Sequence, residues 1–353
     1  MPSRPTPPSR GEPPKPTTLA DVAAAAGVAI STVSRTFSNP GRVNATTREH
    51  VEQAARRLGY RPNAAARALE SGRTSTLGVI VSDITNPHFF TLIRGAQHQA
   101  TTAGYTLLLG DAHLSRQAEQ QVIERTLTSV DGLVVAASRL PTAQLADYAR
   151  VKPIVLVNRV SEGLSSVVTD HTDGPRQIVE HLHSLGHRHL AFLGGPRESW
   201  SAAKRWSAIA ASALDLGVTI TRLGPFPAAI EGGGAAADAA LGTRATALIA
   251  HNDLLAIGAL RRLAERGVAV PDDVSVTGFD DIFGADFCAP PLTTLAAPLD
   301  DAGRQAVDLL IAAATRRAGP PQRLTLPAHL QIRGSTGPAP KPAGHRGSAA
   351  PAG

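Results

Sequence analysis

Ser31, Thr32, Ser34 and Arg35 stand in the run ISTVSRTF, where one helix would turn them outward together. Short hydroxyls and a guanidinium on a helix surface reach base edges and phosphates in the DNA major groove without steric conflict. A second group lies just beyond β-rich runs. Asp83 and Phe89 follow LGVIVS, Asn158 and Arg159 end PIVLVN, and Arg205, Asn252 and Asp280 fall further on. Carboxylates, amides and a guanidinium, with Phe89, Trp200 or Trp206 to stack on, suit a polyhydroxylated ligand such as a sugar or nucleoside. Asp253 and Asp281 read as helix caps rather than ligand contacts.

Other chemistry is set aside. His181, His183, His187 and His189 crowd together, but Leu185-Gly186 looks like a helix end and breaks the face His183 and His187 would share. No Cys or carboxylate completes a tetrahedral metal set. There is no P-loop, no GxGxxG after a strand and no GxSxG elbow, so neither an enzyme nor a cofactor is expected. Cys288 is the only cysteine, which excludes an intrachain disulfide.

The charge pattern favours the first group as a DNA contact. Residues 1–73 hold 11 Lys/Arg and 5 Asp/Glu, while residues 74–353 hold 24 of each. The whole net charge of +6 therefore sits in the first fifth of the chain, where it attracts phosphate. The Pro- and Arg-rich N-terminus has no apolar core to make it a secretory signal. No stretch approaches the roughly 18–20 apolar residues of a membrane span. The chain reads as soluble and cytoplasmic, with no membrane partner.

Elements follow from spacing. Residues 1–17 read as a disordered tail. Thr18 is placed to cap a helix through DVAAAAG, closed by Gly27, and ISTVSRTF makes a second. Val22, Ala26, Val28, Val33 and Phe37 would bury a shared seam. A third helix is expected from a capping box at Thr46–Glu49 to Gly59. Two helices across a glycine turn with a polar outer face make a helix-turn-helix, the plainer alternative being a three-helix bundle with a polar surface.

Residues 18–69, TLADVAAAAGVAISTVSRTFSNPGRVNATTREHVEQAARRLGYRPNAAARAL, resemble the DNA-binding headpiece of the LacI/GalR family. The resemblance implies base contacts from Ile30, Ser31 and Arg35. It implies phosphate contacts from Thr18, Thr32, Ser34, Asn44, Thr47, Tyr60 and Asn63. It makes 18–62 the headpiece and 63–74 a hinge helix that forms on DNA, with Leu69 wedged into the minor groove; a flexible linker is the alternative. Ala29 departs from the family, which usually has a Ser or Thr cap there.

From Leu77 short strands alternate with helix-length stretches: LGVIVS, YTLLLG, GLVVAA, PIVLVN, SSVVTD, HLAFLGG, ATALIA and DVSVTGF. That pattern predicts an α/β body, residues 75–335, of two lobes built on parallel sheets. The second lobe is expected to restart after Arg159, with returns near Leu292–Leu295 and Leu324–Leu326. Ligands of such folds bind beyond the strands' C-terminal ends. SDITNPHFF, LGHRHLAFLGGP, HNDLLAIGAL, VPDDVSVTGFDDI, PPLTTL and RGST resemble the family's effector-binding core, itself similar to periplasmic sugar-binding proteins. Arg205 matches an effector-contacting arginine, although Ala208 stands where a glycine is expected. Residues 336–353 read as a frayed tail. The expectation is a homodimeric regulator, usually a repressor, that binds pseudo-palindromic operator DNA under the control of a sugar or nucleoside. The alternative is a small-molecule-binding module whose headpiece no longer reads DNA.

Overall fold

Thr18 starts the first helix through a reciprocal cap. Its hydroxyl accepts from the Asp21 amide at 3.3 Å, and the Asp21 carboxylate accepts from the Thr18 amide at 2.7 Å. The structure is a computed structural model that describes residues 17–38, 40–60, 72–315, 317 and 319–341. It falls into two compact units, Met1–Thr74 and Ser75–Gly353.

In the first unit α1 (Leu19–Ala26) ends where Gly27 takes φ +63°, a left-handed turn that a side chain would strain. Helix α2 (Ile30–Ser38) follows at once, and α3 (Ala45–Arg57) packs across both. Val22, Ala23, Ala26, Val33, Val51, Ala54 and Ala55 make the core, with Val28, Phe37 and Tyr60 against it. The third helix begins earlier than the expected Thr46 box. Asn44 caps it, its amide oxygen accepting from the Thr46 amide at 2.9 Å, so Thr46 lies inside the first turn. Thr17, assigned to the tail, donates to the Leu58 carbonyl at 3.0 Å. Asn63 and Leu69, and most of the expected hinge helix, lie outside the described residues.

The second unit runs β1 (Thr76–Val81), α4 (His88–Thr102), β2 (Thr106–Asp111), α5 (Arg116–Leu127), β3 (Gly132–Ala136), α6 (Thr142–Val151), β4 (Ile154–Val157) and β5 (Ser165–Thr169). It continues with α7 (Asp173–Ser184), β6 (His189–Leu193), α8 (Trp200–Asp215), β7 (Thr219–Leu223), α9 (Gly232–Leu241), β8 (Ala247–Ala250), α10 (Asp253–Glu265) and β9 (Ser275–Phe279). The last elements are β10 (Thr293–Ala296), α11 (Leu299–Ala314), β11 (Arg323–Leu326) and β12 (His329–Gln331). One six-stranded sheet has the order β11-β5-β4-β3-β1-β2, the other β12-β10-β9-β8-β6-β7. Both are parallel except where β12 runs against β10. Strands β1, β3, β4 and β8 are near-continuous apolar runs because helices bury both of their faces, and β9 is buried throughout although it carries Ser275 and Thr277.

The lobe boundary differs from expectation. SSVVT is the fifth strand of the first sheet, so the second lobe begins at α7 rather than after Arg159. The chain recrosses after β10, because α11 buries Leu299, Ala302, Ala306, Val307 and Leu310 in the first lobe's core. It crosses a third time between β11 and β12. Gly95 of α4 and Gly303 of α11 allow close helix contact: a Cβ on either would meet the other helix's carbonyl oxygen at 2.0 or 2.1 Å. The body also runs past 335. Gly337 accepts from the Ser275 hydroxyl at 3.3 Å and the Ala339 amide donates to Leu185, so the expected tail is pinned at its start.

Candidate functional site

On α2 the Ile30, Ser31 and Arg35 side chains are exposed, while Thr32 and Ser34 are half-buried. Ile30 is 52% exposed at the helix start, an apolar group facing water. The Ala29 carbonyl accepts the Thr32 and Val33 amides, so Ala29 holds the N-cap position without a side-chain acceptor. Thr18 and Asn44 are exposed at the starts of α1 and α3, which their side chains cap. Thr47 and Tyr60 are half-buried, and Tyr60 packs its ring 5.7 Å from Phe37.

The two sheets turn their strand ends toward one cleft. Asp83, Asn86, His88, Phe89, Arg139 and Asn158 line it from the first lobe, and Ser199, Arg205, His251, Asn252 and Asp280 from the second. The space between these residues, counting the open solvent at its mouth, is about 590 Å³. The backbone is strained there: Ala137, Asn158, Asp280 and Asp281 follow strands β3, β4 and β9 with φ of +52°, +53°, +108° and +49°. Such conformations cost of order 1–3 kcal/mol each and collect at functional sites.

Asp280 organises the second lobe's side. It accepts from Arg205 Nη2 at 2.8 Å and stands 3.3 Å from His88 Nδ1 of the first lobe. Burial alone would raise its carboxyl, but the charge and hydrogen bond of Arg205 hold it below the usual carboxylate range, with the His88 ring alongside. Arg205 also donates to the His251 carbonyl and lies 4.4 Å above the Phe279 ring. His251 and His171 are pushed down to about 3, first by burial and then by the Arg205 charge, so both rings are neutral near pH 7.

Four expected assignments change. Arg159 is not among the cleft-lining residues; its Nη1 donates to the Ser138 carbonyl at 2.8 Å, beside buried Glu119. Asn252 lines the cleft, yet its amide caps α10 at Leu255 and donates to the Ala228 carbonyl, which leaves little for a ligand. Asp253 is not a cap: its carboxyl, pushed well up by burial and then by Asp280, accepts from the Ile282 amide at 2.9 Å. Asp281 pairs with Arg333 at 2.7 Å. Of the three aromatics offered for stacking, only Phe89 lines the cleft; Trp206 stacks on Phe192 and Trp200 meets His171. Among the described residues no cluster of His, Cys, Asp or Glu is arranged to hold a metal. His187 instead bonds Thr246 and Ser275.

His88, Arg139 and His251 were missed. Each lies one to seven residues beyond a strand's C-terminal end, so the rule that found Asp83 and Asn158 applies to them equally.

Residues 18–63 match the bacterial regulatory proteins of the lacI family, and residues 179–336 a periplasmic binding protein-like domain. The chain is 34% identical over 330 residues to the HTH-type transcriptional repressor CytR of Escherichia coli (strain K12), covering 90% of this chain and 96% of CytR. A Lac repressor dimer bound to operator and the anti-inducer ONPF shares the fold with a TM-score of 0.82 at 29% identity, over 92% of this chain and all of that one. A complex of the transcriptional regulator CelR with cellobiose gives 0.68 at 29% identity, over 90% and 99%. With helix-turn-helix, two-lobed body and cleft in that order, this chain belongs to the LacI family of DNA-binding transcriptional regulators that carry a ligand-binding domain.

Proposed function

We propose that this protein is a repressor that binds a pseudo-palindromic operator as a homodimer, and that a sugar or nucleoside in the cleft sets its operator affinity. The observation that carries the sensing role is a group of unmet valences on cleft-lining side chains, His88 Nδ1 and His251 Nδ1 among them. Asn158 Oδ1, an acceptor, and Arg205 Nε, a donor, are buried at the cleft without a hydrogen-bond partner. A buried polar group left unpaired costs about 1–3 kcal/mol, and a ligand hydroxyl can both donate and accept. CytR is named a repressor and the CelR complex holds cellobiose, which supports both halves of the reading.

On the DNA side, Ile30, Ser31 and Arg35 contact bases, and Thr18, Thr32, Ser34, Asn44, Thr47 and Tyr60 contact phosphates. Asn63 and Leu69 extend the set into the hinge. The homodimer is supported by Phe90 and Phe283, exposed rings that line one groove on the second unit, and by exposed Phe287 against Phe283. No helix among the described residues is long and apolar enough to cross a membrane, which suits action on cytoplasmic DNA. The reading assigns no catalytic step.

A thermal-shift screen of the full chain against neutral sugars and nucleosides tests the sensor. One compound class should raise the melting temperature, since ligand at 100 times its Kd adds about 2.7 kcal/mol. If none shifts it at millimolar concentration while the protein still selects an operator from a random library, the cleft is not a sensor of that class.

A further inference from the structure

Three cavities meet at one pair of residues. His88 and Asp280 line the main cleft, a smaller pocket with Thr169, His171 and Phe279, and the open groove with Phe90 and Phe283. Free space therefore adjoins this buried pair on three sides.

We propose that His88 is a positioning residue that ties the two lobes together across the cleft, linking Asn158 of the first lobe to Asp280 of the second. Asn158 Nδ2 lies 3.2 Å from His88 Nε2, and an amide nitrogen can only donate. His88 Nε2 must then accept, which puts the ring proton on Nδ1, the atom 3.3 Å from Asp280 Oδ1. The tautomer is thus assigned by its neighbours. Burial keeps the ring neutral, the Asp280 charge opposing and the Arg205 charge reinforcing it. A protonated ring would oppose N–H to N–H at Asn158.

The Nδ1 contact is long and lacks the alignment of a hydrogen bond. A small rotation of one lobe can therefore close it into a hydrogen bond or open it further. Asp280 is held in its strained conformation by Arg205, so Asn158, His88, Asp280 and Arg205 form one chain from lobe to lobe. Besides His88 Nδ1, two further open valences of that chain, Asn158 Oδ1 and Arg205 Nε, lie at its two ends. Whatever engages them acts on the lobe angle through His88. That consequence rests on the sensor reading above; the tie itself does not.

Hydrogen exchange of the full chain, with no small molecule added, tests the tie in wild type, His88→Phe and His88→Gln. His88→Phe should speed exchange about fivefold or more in the turns at 158–161 and 280–283, which are far apart in sequence and on opposite lobes. His88→Gln keeps a donor and an acceptor and should stay within about twofold of wild type. Faster exchange confined to residues 86–92, exchange raised uniformly, or Gln behaving like Phe would overturn the proposal. Should His88→Phe not fold, nitrogen-15 NMR of the wild-type ring decides. The neutral Nδ1–H tautomer is expected at pH 7, and an Nε2–H tautomer or a cation there would also overturn it. Neither measurement needs an effector, so failure here is distinct from failure of the ligand screen.

Discussion

The Arg205 guanidinium and the Asp280 carboxylate face each other at 2.8 Å with both side chains buried. Each is the other's main compensation for leaving water. Asp253, also buried, adds a second carboxyl to the neighbourhood, and the strain at Asp280 adds to what the pair must hold in place.

Removing one partner should therefore cost more than removing both. Arg205→Ala should destabilise the chain by about 3–5 kcal/mol, because Asp280 is left buried and charged. In urea, the Arg205→Ala and Asp280→Ala losses should exceed the double variant's loss by at least about 1 kcal/mol. Additive losses would mean that the pair is solvated and that its partners act independently.

How legible was this in the sequence? The headpiece was read almost residue by residue, because short caps and an apolar seam between neighbouring helices are local: Thr18, Gly27 and Val33 each do what their type and spacing dictate. The two-sheet body was legible for the same reason, since buried parallel strands leave apolar runs. The cleft was only half legible. Asp83 and Asn158 were found from their place after strands, and Asn252 is a local cap of the helix it precedes, but nothing local says that Arg159 turns to Ser138. That outcome depends on what the adjoining loop offers. Strands β7 and β12 went unseen as edge strands, where the exposed Thr219 and His329 break the apolar signal.

The neutral histidines make stability depend on pH. His251 titrates near 6.5 when unfolded but is held down to about 3 in the fold. Between those values the unfolded chain binds the extra proton, so stability is full above about pH 6.5 and is lost as pH falls toward 3. The slope is up to about 1.4 kcal/mol per pH unit for each such group. Asp253 and Glu119, raised by burial, pull the other way, so the difference between variants is the cleaner measure. His251→Gln should lose about 2 kcal/mol less than wild type between pH 6.5 and 5. Parallel stability profiles would show His251 to be solvated.

Ala29 leaves the first amides of α2 without a side-chain acceptor. Ala29→Ser should stabilise the headpiece by about 0.5–2 kcal/mol, read as a higher midpoint in denaturation of the excised 1–74 segment or, should that not fold alone, as slower exchange of the α2 amides in the full chain. An unchanged or lower value would mean that the α2 start is already capped by another group.

Phe283 and Phe287 touch at 5.0 Å and are 77% and 72% exposed, a large apolar surface to leave in water. If a second copy covers them, Phe283→Asp should shift the protein toward monomer in sedimentation. Operator affinity should fall with it, because a single headpiece buries too little for tight binding. A Phe283→Asp variant that remains a dimer would place the interface elsewhere.

Arg35 and Thr47 separate reading from anchoring. Arg35 projects from the exposed face of α2, where a guanidinium can meet the O6 and N7 of a guanine. Thr47 sits in the first turn of α3, half-buried, with only its hydroxyl available for a phosphate. Arg35→Ala should cost about 1–3 kcal/mol on the preferred operator and relax selection at one base pair. Thr47→Ala should weaken all sequences alike and leave the preference unchanged. Both proteins should be run over the same operator library at two salt concentrations. Loss of Arg35 through a base contact leaves the salt slope nearly as in wild type, whereas loss of a phosphate contact by Arg35 would lower the slope by about 1. If Arg35→Ala flattens the salt dependence and keeps the base preference, α2 lies along the backbone rather than in the groove.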